Sequence, residues 1–150
     1  MEINFILLRQ ISVLSVFFGA VLGFITLIPF VNSISFIFLI TCMAPLVIYL
    51  LIKYNCLTLT SIKESIVIGA IAGFVAFLSF SAIYIPISIL LIKVVKYVPN
   101  YGLALLFNNS GFFILLVVSL FMGVLSATVN AFTGFITFSV LELISSIGKK

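Results

Sequence analysis

The feature that most constrains this chain is the distance between its charges. No charged residue falls between Arg9 and Lys53, between Glu64 and Lys93, or between Lys96 and Glu142. An uncharged apolar run of about 18 residues or more is long enough to cross a bilayer. Charged residues make up only 7% of the chain, against the roughly 25% that a water-facing surface needs. Lipid offers no hydrogen bonds, so each span must satisfy its own backbone as a helix. Short alternating strands of the β-barrel kind are missing. The sequence therefore predicts an all-α integral membrane bundle of about four transmembrane helices in a single domain.

The spans are expected at roughly 11–31, 34–52, 65–92 and 111–141. The run after Arg9 has no small-residue cleavage pattern and reads as a retained first span, not a signal peptide. Asn32 and Ser33, helped by Pro29, are expected to make a tight turn. Pro45 is expected to kink the second span, because proline removes one helical hydrogen bond and crowds the preceding turn. Thr60 or Ser61 is placed to cap the third span, with Glu64 near its start in a loose capping box. That span should tilt, or bend at Pro86. Tyr97 and Tyr101 among Lys93 and Lys96 suggest the headgroup layer, with "GLALLF" lying along it. The fourth span is too long for one upright crossing and too short for two with a turn. It is expected as one long tilted or broken helix that protrudes at its C-terminal side.

Orientation follows from lysine and arginine in short loops. With the N-terminus inside, Arg9, Lys53, Lys63, Lys149 and Lys150 lie inside, and Lys93 and Lys96 outside. The expectation is a multi-pass protein of the cell inner (cytoplasmic) membrane with both termini cytoplasmic. The net charge of +4 is carried at span ends, so the cations read as interfacial anchors and not as a nucleic-acid surface. The chain has no His and no Asp, and Cys42 and Cys56 lie far apart with no CxxC. No metal, no cofactor and no disulfide is expected, because a zinc site needs about four ligands. The same poverty leaves no ordinary triad, dyad or metal centre, so an enzyme is not expected.

Two segments resemble each other. "GAVLGFITLIPF" begins at Gly19 and "GAIAGFVAFLSF" at Gly69, and the core G-A-[VI]-x-G-F aligns without gaps. Both would run in the same direction, as in two parallel-related helical hairpins. Duplication and convergence on one packing solution both fit. Gly19-xxx-Gly23 and Gly69-xxx-Gly73 bare a strip of backbone, so that a second helix can approach closely. That helix could belong to the same bundle or to another copy.

Span four carries a longer pattern. Ser119, Gly123, Ser126, Asn130, Thr133 and Thr137 repeat at the alternating four-and-three spacing of a helix seam. Every member is small or polar. This face looks at another helix or at water, and Asn130 costs free energy unless its amide finds partners. A tight seam and the lining of a substrate path are both open. Glu142 follows the long run and reads as an interfacial residue, with a proton-relay carboxylate as the sharper alternative.

Across "GAVLGFITLIPF", "APLVIYLLIK" and "ESIVIGAIAGFVAF" the chain resembles small bacterial multi-pass membrane proteins of uncharacterised function. The resemblance implies a fold and a compartment and carries no activity. The four-span size is similar to that of the small multidrug transporters, but those depend on a glutamate in the first span, where this chain has none. The expected function is that of a non-enzymatic subunit, scaffold or regulator acting through other transmembrane helices. The alternative is a small transporter or channel-forming subunit with a path along span four.

Overall fold

A computed structural model describes residues 5–57, 61–98, 101–109 and 111–147. The described residues are helical, joined by short turns, with no strand among them. In order they form α1 (Phe5–Ile25), α2 (Asn32–Thr41), α3 (Met43–Lys53), α4 (Ile62–Leu90), a π-helical turn at Leu91–Val95, α5 (Tyr101–Asn109) and α6 (Phe112–Ile147).

Helix α4 is the central element. It buries small residues and aromatics on two sides, against α1 and against α6. The two contacts run in opposite senses. Along α1, Gly19 meets Ala76 and Gly23 meets Phe80 and Ile83, so α1 and α4 are parallel. Along α6, Ser65 meets Gly134, Gly69 meets Asn130, and Gly73 meets Ser126, so α4 and α6 are antiparallel. Parallel α1 and α4 require the chain between them to return to its starting side. Helices α2 and α3, an apolar pair bent by 63°, make this return together, so α1, α4 and α6 are three candidate spans and the bent pair is a fourth when counted as one broken span.

The helix directions bring the start of α1, the end of α3, the start of α4 and the end of α6 to one end of the bundle. Arg9, Lys53, Lys63 and Glu64 gather there, and Lys93 and Lys96 lie at the other. Glu2, Lys149 and Lys150 fall outside the described residues, as does Thr60. Ser61 is the cap: its hydroxyl accepts the Glu64 N–H at 3.3 Å. Cys42 and Cys56 are both free thiols.

Several boundaries differ from the sequence expectation. The first helix begins at Phe5 and ends at Ile25, so the turn falls at Thr26–Val31 and Asn32 and Ser33 open α2. Pro29 lies in that turn, and Phe30 beside it takes a left-handed φ of 68°, a conformation that costs a residue with a Cβ about 1–2 kcal/mol. Asn55 closes α3 in the same left-handed region, where asparagine is at home. The third helix starts at Ile62, not Ser65, and passes Pro86 without a break. The fourth span is a single helix of 36 residues, about 54 Å long against a hydrocarbon layer of about 30 Å. In α5, Ala104 and Phe107 are buried while Tyr101 and Leu105 are exposed, so "GLALLF" is a short helix with one face on the bundle.

Candidate functional site

The facing pairs of α4 and α6 descend in step from Ser65 opposite Gly134 to Gly69 opposite Asn130 and Gly73 opposite Ser126. At each of these levels one partner is a glycine. A Cβ on Gly69 would strike the Asn130 carbonyl, and one on Gly73 would lie 2.7 Å from the Ser126 carbonyl oxygen and 2.6 Å from the Asn130 Cβ. Hydroxyls then reach straight across to backbone: Ser65 Oγ donates to the Gly134 carbonyl at 2.6 Å, and Ser126 Oγ to the Gly73 carbonyl at 3.0 Å. Close approach brings dispersion contact, and the hydroxyls satisfy themselves where lipid could not.

Asn130 sits midway along α6 and is fully buried. Its Oδ1 accepts the Ala44 N–H at 2.9 Å, and its Nδ2 donates to the Ile40 carbonyl at 2.8 Å. The second Nδ2 hydrogen is within reach of the Ser126 carbonyl at 3.0 Å, and the Leu39 carbonyl is 3.3 Å away. In an unbroken helix the Ala44 N–H would bond the Ile40 carbonyl directly. Here the side-chain amide stands between them and plays the part of the missing peptide contact. Pro45 supplies the reason for the break, since it has no N–H for the Thr41 carbonyl. Asn130 is thus a clamp across a broken span, and every polar atom of its amide is occupied within the chain.

The small-polar stripe read from span four is only partly one surface. Gly123 is buried against the Phe74 ring, and Ser126 and Asn130 are buried on the seam. Beyond Asn130 the contact passes to Gly134, which the stripe omits. Thr133 and Thr137 are half-buried and bond back to their own helix, to the Asn130 carbonyl at 3.2 Å and the Thr133 carbonyl at 2.7 Å. The physical reason is the room needed at Ser65: a Cβ at position 134 would meet the Ser65 carbonyl, so glycine alone allows this approach. A turn of 3.6 residues drifts against a strict four-and-three pattern, which makes such a one-residue shift natural. The signal was present as a bare Gly134 four residues after Asn130.

The two GxxxG motifs take different partners. Gly19 and Gly23 lie on the C-terminal half of α4, whereas Gly69 and Gly73 lie on α6. A two-fold relation between hairpins would give them equivalent contacts. What the two motifs share in the fold is that each admits a close neighbour.

Towards the Lys93 end the α4–α6 seam opens. The facing residues there are Phe77, Ser81 and Tyr84 on α4 and Met122, Ser119 and Leu115 on α6, and no glycine lies among them. The larger side chains hold the helices apart around a half-enclosed cavity of about 380 Å³, walled further by the start of α2 and by Leu106 and Phe107 of α5. Phe77, Phe80 and Tyr84 form a continuous aromatic wall, with Phe80 and Tyr84 stacked at 5.1 Å between ring centroids. No charged side chain lines the space. Ser119, the first residue of the predicted stripe, therefore lines this cavity and not the closed seam. Glu142 joins neither: it is exposed on the part of α6 that runs beyond α4. Ser81, Tyr84 and Gly134 were not among the residues singled out by sequence, because their neighbours in space come from distant parts of the chain. Compared with family models, with curated proteins and with solved structures, the chain finds no match.

Proposed function

We propose that this chain is a non-enzymatic subunit or scaffold of a cytoplasmic membrane, acting through association with another helical protein and holding both termini on the cytoplasmic side. The observation that carries this reading is the last three turns of α6. The seam pairs Ser65 with Gly134, so Ile62, the first residue of α4, stands near position 137 of α6. From there to Ile147 is about ten residues, or about 15 Å of helix with no α4 beside it. Leu143, Ile144 and Ile147 are 60–65% exposed on this stretch, past the level of Lys63. Contiguous exposed apolar surface marks a protein–protein or membrane interaction site, and a stretch that continues past the charged rim of the bundle suits a protein partner.

The fully paired seam supports the same reading. The polar groups of Ser65, Ser126 and Asn130 are closed on the chain's own backbone, which suits a rigid framework better than a hydrated path. A small transporter is the second reading, favoured by Ser119 on the cavity wall. The test is site-specific photocrosslinking in native membranes, with the reactive group at Leu143 or Ile147 and, as a lipid-facing control, at Phe121. A discrete protein adduct from the first two positions and none from the third is expected. Lipid adducts alone from all three would overturn the subunit reading.

A further inference from the structure

The cavity of about 380 Å³ has the size and lining of a small-molecule site: a concave, mainly aromatic and aliphatic wall with a few placed polar groups. Most hydroxyls of the spans are spent on backbone, as Ser15 on the Ile11 carbonyl, Thr26 on the Leu22 carbonyl and Ser79 on the Val16 carbonyl. Ser81 and Ser119 make no hydrogen bond among the described residues, although Ser81 is only 7% exposed. Both stand on the cavity wall. The register that pairs Gly73 with Ser126 carries them to the same level on facing helices. Ser81 is buried as a residue and Ser119 half-buried, and a hydroxyl that finds no partner costs more where it faces hydrocarbon than where it faces water.

We infer that this cavity binds a neutral, mostly apolar molecule from the bilayer carrying one hydroxyl or carbonyl group, which Ser81 and Ser119 grip from opposite walls. Neutrality follows from the lining, because a charge placed among Phe77, Phe80 and Met122 would have no counter-ion. The single polar group follows from two facing hydroxyls, each able to donate or accept. The aromatic wall would stack on a flat or unsaturated body. This inference stands apart from the subunit proposal, since the cavity and the C-terminal turns of α6 lie at opposite ends of the bundle.

The test uses the full chain in phosphatidylcholine nanodiscs and two photoreactive probes of equal length: a diazirine-bearing long-chain alcohol and the matching hydrocarbon. The alcohol is expected to label the peptides containing Phe77–Ile85 and Leu115–Met122 about tenfold more than the hydrocarbon does, the ratio that one to two net hydrogen bonds give. The Ser81→Ala/Ser119→Ala double variant should lose this preference while still taking up the hydrocarbon. Elution of that variant as the same species as the parent shows that it folds. Equal labelling by the two probes, or a preference that survives the double substitution, would overturn the inference and leave the cavity as space for lipid tails.

Discussion

Replacing Asn130 by leucine tests how the broken span is held. The substitution keeps most of the volume and removes the amide, leaving the Ala44 N–H and the Ile40 carbonyl without their partners at 2.9 and 2.8 Å. An unsatisfied buried group costs about 1–3 kcal/mol, which gives about 2–6 kcal/mol for two. Interhelical polar contacts measured within membranes average only about 0.6 kcal/mol, so three such bonds set a floor near 2 kcal/mol. The expected loss is therefore about 2–4 kcal/mol. The two freed groups could rescue one another only by straightening the span into one helix, and Pro45 opposes this because its ring crowds the Thr41 carbonyl. Unfolding in mixed micelles with increasing SDS fraction measures the loss, with Leu125→Ala as a lipid-facing control. Hydrogen exchange at the Ala44 amide provides a local readout: slow in the parent chain, fast in the variant. A loss below about 0.5 kcal/mol, the size of an ordinary surface substitution, or an Ala44 amide equally protected in both proteins, would refute the clamp.

Other substitutions separate the observed seam from the periodic one. Gly134→Ala places a methyl group on the Ser65 carbonyl and should cost about 1–3 kcal/mol by overpacking. Thr133→Ala removes a hydroxyl that bonds its own helix and should stay within about 0.5 kcal/mol in the same SDS titration. Equal effects at the two positions would return the contact to Thr133. Ser61→Ala deletes the cap of α4 and should lower stability by about 1 kcal/mol, with faster exchange at the Glu64 amide as its local sign. Cys56 is exposed beyond α3, and with cytoplasmic termini it faces inward. A membrane-impermeant maleimide should label it only after the cells are opened, and labelling on intact cells would reverse the proposed orientation.

Much of the architecture was legible because hydrophobicity is a one-dimensional property. The spacing of charges marks the apolar runs and the turns at Lys53–Glu64 and after Lys93. Proline and serine chemistry act locally, so the break before Pro45 and the cap at Ser61 could also be read from the chain. Helix ends were less legible. Apolar residues such as Phe5 and Leu8 extend a span without any change of polarity, and the turn at Thr26–Val31 is set by Pro29 and Phe30 without charge to announce it.

What the sequence by itself determined is that this is a helical membrane protein, that Asn130 must find partners in a place without water, and that α1, α4 and α6 each carry a face small enough for close approach. The tertiary structure alone decided which faces meet. Asn130 could have turned to a channel, to another copy or to a neighbouring helix, and only the bend between α2 and α3 brings Ala44 and Ile40 to its amide. Likewise Ser119 and Ser126 are equivalent in the stripe, yet one lines a cavity and the other a closed seam. The difference lies in the partner helix, where Gly73 lets the backbones touch and Phe77, Phe80 and Tyr84 hold them apart. Periodicity reports which residues share a face, but the separation of two helices depends on the summed volume of both faces, and that quantity exists only once they are packed.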